Sequence, residues 1–285
     1  ALRDFKLSGI ALAPEQQQRY GEISKRLSEL GSNFSNNVLD ATAGWTKVIT
    51  DEKELAGLPQ SAIDAAKAMA QDKELDGYLF TLDFPSYLPV LTYADNAKFR
   101  EEMYTAFSTR ASDQGPNANQ WDNSDVINET LALRHELAQL LGFESFADKS
   151  LATKMAEKPQ QVVDFLEDLA AKSKPQAERD LSELKAFAKE HYNATDLQVW
   201  EMAYYGEKLK QHTYAISDEE LRPYFPEDKA VAGLFEVVSR LYGLTITEQT
   251  DVDVWHKDVK YYNISDRNGE HRGGFYFDLY ARQNK

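Results

Sequence analysis

Apolar residues recur at three- and four-residue spacing through most of this chain, the signature of amphipathic helices. Pro14 opens the first such segment with Glu15 in its first turn, and Tyr20, Ile23, Leu27, Leu30 and Phe34 then form one stripe. The same spacing predicts a short helix over 61–70 and another over 96–109, carried by Phe99, Met103 and Phe107. Residues 122–141 read as a strong helix that Gly142 stops. A very long helical stretch starts at Pro159, and Pro175 within it predicts a kink or a second helix start. Helices over 196–214 and 226–242 come next, the latter ended by Gly243, and Ser217 with Glu220 fits a capping box.

Period-two patterning is rarer. Val48-Ile49 reads as extended, and Tyr78, Phe80 and Leu82 alternate with Leu79, Thr81 and Asp83 as a short strand after the Asp76-Gly77 turn. Pro85 and Pro89 punctuate the stretch after that strand, and residues 111–123 read as a polar loop. The last forty or so residues change character. Val259 to Ile264 is β-rich, Asn268-Gly269 signals a type I′ hairpin, and Gly274 to Tyr280 returns as a second strand. The fold class is therefore mostly α. Residues 1–250 form a large helical body, and residues 251–285 form a small antiparallel β hairpin region near the C-terminus.

Charge narrows the function. With 32 Lys+Arg against 47 Asp+Glu over 285 residues, the formal net charge is −15, which repels phosphate and argues against a nucleic-acid partner. No apolar run approaches the roughly 20 residues that span a bilayer, and the polar start Ala1-Leu2-Arg3-Asp4 does not resemble a signal peptide. No membrane partner is expected, and a cytoplasmic protein is the reading, with the sequons at Asn33, Asn128, Asn193 and Asn263 taken as chance. The first residue is not Met, so the terminus is read as processed or the chain as a piece of something longer. There is no Cys, hence no disulfide scaffold, Cys-ligated metal or thiol nucleophile, and no Gly-x-Ser-x-Gly elbow.

The candidate sites each have a plainer reading. His135-Glu136-Leu137-Ala138-Gln139 misses the zincin pattern, because two zinc ligands must sit at i and i+4 on one helix face and Gln139 is a poor ligand. It reads as a solvated helix face. Asp251, Asp253, His256 and Asp258 alternate as hard-cation ligands can, but lack the turn Gly and closing Glu of a calcium loop. They read as a polar connection around Trp255. Gly273-Gly274 precedes a strand rather than opening a helix, so it is a bulge or a place where another backbone comes close, and a peptide is one such backbone. Gly273, Gly274, Phe275 and Tyr276 are therefore candidate substrate-binding residues. The dense aromatics, from Tyr204 and Tyr205 to Tyr280, read mostly as packing.

Several phrases, in order and spacing, resemble the thimet oligopeptidase and oligopeptidase A family of zinc metallopeptidases. They are Leu2-Arg3-Asp4-Phe5-Lys6-Leu7-Ser8-Gly9, Glu54-Leu55-Ala56-Gly57-Leu58-Pro59, Pro85-Ser86-Tyr87-Leu88-Pro89, Arg100-Glu101-Glu102-Met103-Tyr104, Leu140-Leu141-Gly142-Phe143 and Lys154-Met155-Ala156. The most distinctive is Gly274 to Ala281 with Arg282 behind it and Trp255-His256 ahead. Trp200-Glu201 departs, since the family usually has Asp after that Trp.

The resemblance implies a mostly helical enzyme whose two lobes flank a deep channel admitting short peptides. It also implies that the His-Glu-x-x-His helix, the further Glu ligand and the catalytic tyrosines lie downstream of this sequence. On that reading the chain is an internal section with no catalytic or metal residue of its own. Zinc belongs to the complete enzyme, and the chain's partners are short peptides and the missing C-terminal catalytic section. The section supplies channel wall and hairpin, is inactive alone, and exposes apolar area along the Phe275, Phe277 and Leu279 strand. The alternative is a free-standing helical module that binds peptide or protein without catalysis.

Overall fold

A computed structural model describes residues 2–280. Ala281 and Arg282, the end of the last family phrase, lie outside the described residues. In chain order the elements begin with α1 (Leu2–Leu7), α2 (Pro14–Ala43), β1 (Thr46–Ile49), α3 (Gln60–Asp72), β2 (Tyr78–Thr81), α4 (Phe84–Tyr93) and α5 (Ala97–Ser108). They continue with α6 (Ser124–Leu140), α7 (Phe146–Leu151), α8 (Pro159–Tyr192), α9 (Met202–Tyr214), α10 (Asp218–Leu221), α11 (Glu227–Tyr242), β3 (Thr245–Gln249), β4 (Lys260–Ser265) and β5 (His271–Phe277). The fold is mostly helical with two small antiparallel sheets. Contacts divide it into two compact units, one up to Leu209 and one from Lys210 onward, well ahead of the 250/251 boundary drawn from the change in sequence character.

The first unit is built on α2 and a mixed core. Pro14 sits in the first turn of α2, and the predicted stripe buries Ile23 and Leu30 completely while Phe34 stays exposed. α2 runs beside α6, tied by Asn37 donating to the buried Asn123 (2.9 Å), which in turn donates to the Phe34 carbonyl (3.2 Å). β1 pairs antiparallel with β2, and α3, α4 and α5 close over them. Phe80 and Phe99 meet edge to face at 5.1 Å inside this core, with Val90 and Met103 fully buried beside them. Asn96 caps α5 by accepting the Phe99 N–H.

Two prolines sit within helices. Residues 84–93 are helical, with Pro85 in the first turn, where its missing N–H costs nothing, and Pro89 inside the helix. Pro175 likewise lies inside α8, which runs unbroken for 34 residues. Each proline removes one intrahelical bond, and the flanking turns hold the helix regardless.

The second unit is a three-stranded sheet, order β3-β4-β5, with α11 packed on one face. Thr245-Ile246-Thr247-Glu248-Gln249 adds a third strand to the expected hairpin. The hairpin turn also differs from type I′. Only Gly269 takes positive φ (+81°) and Asn268 does not, as a type I turn followed by a left-handed glycine requires. Gly269 N–H donates to the Asp266 carbonyl (3.0 Å) and Asp266 N–H to the Glu270 carbonyl (3.0 Å). The pairing slips between Ile264 and Ser265, leaving Arg272 as the extra residue.

Asp266 organises this turn. Its carboxylate accepts from the Asn268 and Glu270 backbone N–H groups (2.8 and 3.0 Å) and from Arg272 Nε (3.0 Å). The hydrogen bond from Arg272, helped by the backbone donors, holds the carboxyl below its ordinary value. A depressed folded pKa contributes stability above the unfolded value of about 4, lost as pH falls through the folded one. Hydrogen exchange corrected for intrinsic rates is expected to show β4–β5 amides losing protection between pH 6 and pH 3. Asp266→Asn should show reduced protection already at pH 6 and little further change on acidification. An acid response as large in Asp266→Asn as in the parent would discount this carboxylate.

Candidate functional site

β5 is an edge strand among the described residues, with β4 on one side only. Alternation along it separates the candidate residues. Gly274 and Tyr276 are exposed and share one face, while Gly273, Phe275 and Phe277 alternate to the other and are half-buried. On the covered face Phe235 of α11 meets Tyr262 at 4.9 Å, Phe277 at 5.9 Å and Phe275 at 6.2 Å. Phe275 and Phe277 thus form the sheet's contact with its own helix and are not the exposed aromatic surface expected of this strand. Leu279 does remain exposed. Larger apolar exposure lies on the outer side of α11, at Leu234, Val237 and Leu241, at i, i+3 and i+7.

On the open face Tyr276 stacks obliquely between Tyr261 (4.7 Å) and Trp255 (5.0 Å). Trp255 Nε1 donates to Asp278 (3.1 Å), and the Tyr276 hydroxyl donates to the Asp253 carbonyl (3.4 Å). The two glycines separate here. A Cβ on Gly274 would lie 2.0 Å from the Tyr261 hydroxyl oxygen and 3.1 Å from the Tyr262 carbonyl, so any side chain there must push the Tyr261 ring aside. A Cβ on Gly273 would meet nothing within 4 Å.

The two metal-like patterns do not fit a metal site. Glu136 is taken by Arg19 of α2 in a two-pronged pair (2.6 and 2.8 Å), which depresses its pKa, and Gln139 donates to the Glu144 carbonyl (2.8 Å). Arg26 and Glu129 repeat that pair further along α2 and α6. Near the sheet, His256 Nδ1 accepts the Asp258 N–H (3.3 Å), while Asp253 uses its backbone carbonyl on Tyr276. Among the described residues no three His, Cys, Asp or Glu side chains gather as a metal would need, and no helix is long and apolar enough to cross a membrane.

A buried charge cluster in the first unit went unread in the sequence. Arg100 of α5 is 1% exposed. It donates to the Ala94 carbonyl, lies 3.6 Å from Glu201, and sits 4.1 Å over the Tyr204 ring. Tyr204 donates to Asp95 (2.7 Å), which Lys208 approaches at 3.9 Å. Burial, and next the bond to Asp95, push the Tyr204 phenol upward, while burial pulls the Arg100 guanidinium downward against Tyr204 and Glu201. Glu201, the residue that departs from the family phrase, therefore does reach the arginine; it also accepts the Gln198 N–H (3.0 Å). The sequence signal available was an arginine between Phe99 and Met103 on a core-facing helix.

Comparison with known proteins accords with this arrangement of phrases. The family model described as Peptidase family M3 matches residues 90–285. Oligopeptidase A of Escherichia coli is 68% identical over all 285 residues, which cover 42% of that protein. Probable cytosolic oligopeptidase A of Arabidopsis thaliana is 38% identical, with 99% of this chain and 41% of that protein covered. The organellar (chloroplastic/mitochondrial) oligopeptidase A of the same plant is 39% identical, with 99% and 36% covered. The chain spans about two fifths of the length of such curated relatives. With more than half its length matched by the family model, this chain belongs to peptidase family M3.

Proposed function

We propose that this chain is a section of a zinc oligopeptidase that degrades short peptides, contributing helical channel wall from its first unit and a substrate-side strand, β5, from its second. The single observation that carries the strand's role is its open edge: backbone donors and acceptors on one side have no strand neighbour among the described residues. An extended peptide gains main-chain hydrogen bonds by adding itself to such an edge, whatever its side chains. That suits an enzyme that must hold many sequences in one register. Gly273, Gly274, Phe275 and Tyr276 are the residues proposed to lie against or behind the peptide. The names of the relatives support a peptide substrate, and zinc with its ligands belongs, on this reading, to sequence outside this chain. The complete protein is read as cytoplasmic, as the name of one plant relative states for that protein.

This chain alone is expected to be inactive. Neither metal-like cluster presents a usable ligand set, and Glu136 is already engaged. The purified chain, supplied with zinc and a quenched fluorescent peptide, should show no turnover above buffer. The complete protein should cleave the same peptide and lose that activity to a chelator. Turnover by the chain that disappears with chelator and with His135→Ala would overturn the reading and promote the near-miss site.

A further inference from the structure

The second unit holds a cavity of about 290 Å³ under the N-terminal end of α11, where β3, β4 and β5 run together. Phe235, Tyr262 and Phe277 line it with ring surface. Glu227 and Asp228 from the first turn of α11, Glu248 from β3 and Asp258 from the loop before β4 surround that surface with four carboxylates. Lys260, 3.9 Å from Glu248, is the lone cation lining it among the described residues. Four carboxylates against one ammonium leave the lining about three charges negative at neutral pH.

Tyr280 donates to Glu227 and Tyr262 to Glu248 (3.4 Å), and both phenols are pushed above their ordinary range, Tyr280 by its bond to Glu227 and Tyr262 chiefly by burial. They therefore stay protonated as donors. Asp228 makes no hydrogen bond or ion pair among the described residues and is exposed. A bare metal ion does not fit, because the acids are spread over three elements and no three ligating groups converge among the described residues. A neutral apolar ligand does not fit either, because it would strip water from the carboxylates without replacing it.

We propose that this cavity binds an organic cation carried on an apolar stem, the chemistry of a lysine or arginine side chain. The stem lies against the rings, the cation is held at the carboxylate rim, and the ring faces add cation–π attraction. At this volume, near the lower end for small-ligand sites at roughly 300 Å³, it takes one such group. The inference does not rest on the peptidase reading, since the binding is measured on this chain whether or not it is part of an enzyme.

The test is an NMR titration of the isotope-labelled chain at low ionic strength with N-acetyl-lysine amide, N-acetyl-arginine amide and the uncharged N-acetyl-norleucine amide. The cationic probes should shift amides in the first turn of α11 and in β4, and should bind about tenfold more tightly than norleucine. Asp228→Asn with Glu227→Gln should remove most of that advantage, and Lys260→Met should increase it. Glu183→Gln on α8, an exposed acid outside this unit, should change nothing. Equal binding of norleucine, or equal weakening by Glu183→Gln, would overturn the proposal and leave only general attraction to a chain of net charge −15. Within the proposal, n-butylammonium binding as tightly as N-acetyl-lysine amide assigns the cavity to free amines. Tighter binding of the amide assigns it to a basic side chain on a peptide.

Discussion

Arg100→Met is expected to lower the unfolding free energy of the chain by about 3 kcal/mol, the scale for removing one partner of a buried ion pair. The side chain is 1% exposed and holds together groups from three places: the Ala94 carbonyl after α4, Glu201 ahead of α9, and the Tyr204 ring within it. Methionine fills much of the volume but donates nothing. It leaves the largely buried Glu201 carboxylate without its cation and the Ala94 carbonyl without its donor. Arg100→Lys keeps the charge and loses the planar fork, so it should fall between methionine and the parent. Tyr204→Phe removes only the hydroxyl bond to Asp95 and should cost about 1 kcal/mol. Urea unfolding followed by circular dichroism measures all three. A shift under about 0.5 kcal/mol for Arg100→Met, typical of a surface change, would show that the arginine is a passenger in this core.

The sequence marks Arg100 only by its place between Phe99 and Met103, and nothing local marks its partners. Arg100, Asp95, Glu201 and Tyr204 are ordinary residues in a chain that is 28% charged, and their meeting depends on how α5 and α9 pack. Features fixed by local physics read well. Gly243 ends α11 in the left-handed conformation, and the stripe on α2 buries Ile23 and Leu30. Elsewhere the structure adds what the local pattern left open. Pro89 and Pro175 sit inside helices that neighbouring turns sustain. Asn268-Gly269 gave the turn's place but not its type, because Asp266 accepts two backbone N–H groups and draws in Arg272, favouring the longer bulged form. β3 did carry a signal, the alternating β-branched run Thr245-Ile246-Thr247, passed over beside the stronger hairpin. The acid-rimmed cavity joins acids far apart in sequence, so no motif could have announced it.

In the complete enzyme, Gly273→Val is expected to lower kcat/KM for short peptides about tenfold, one decade of transition-state stabilisation, with zinc content and melting temperature unchanged. The two glycines look equivalent in sequence, yet only one gives a clean experiment. A side chain at Gly274 collides with the Tyr261 ring, so Gly274→Val must displace that ring from Tyr276. Its loss of activity would report damage to the sheet as readily as loss of a binding edge. Gly273 has no atom within 4 Å of where its Cβ would sit, so a side chain there starts without the collision that Gly274 meets. Valine also favours extended backbone, which protects the strand itself. The substrate provides the complementary test. If a peptide adds as a strand beside β5, only alternate residues hydrogen-bond to it, so N-methylation along the peptide should weaken cleavage at every second position and spare the others. Each affected position should lose about tenfold, the order of one unmade hydrogen bond in a desolvated site. Normal cleavage by Gly273→Val, together with an N-methyl profile lacking period two, would make β5 scaffold and move the search for the peptide's edge to another element. Damage confined to Gly274→Val would point the same way, because Tyr261 alone accounts for it.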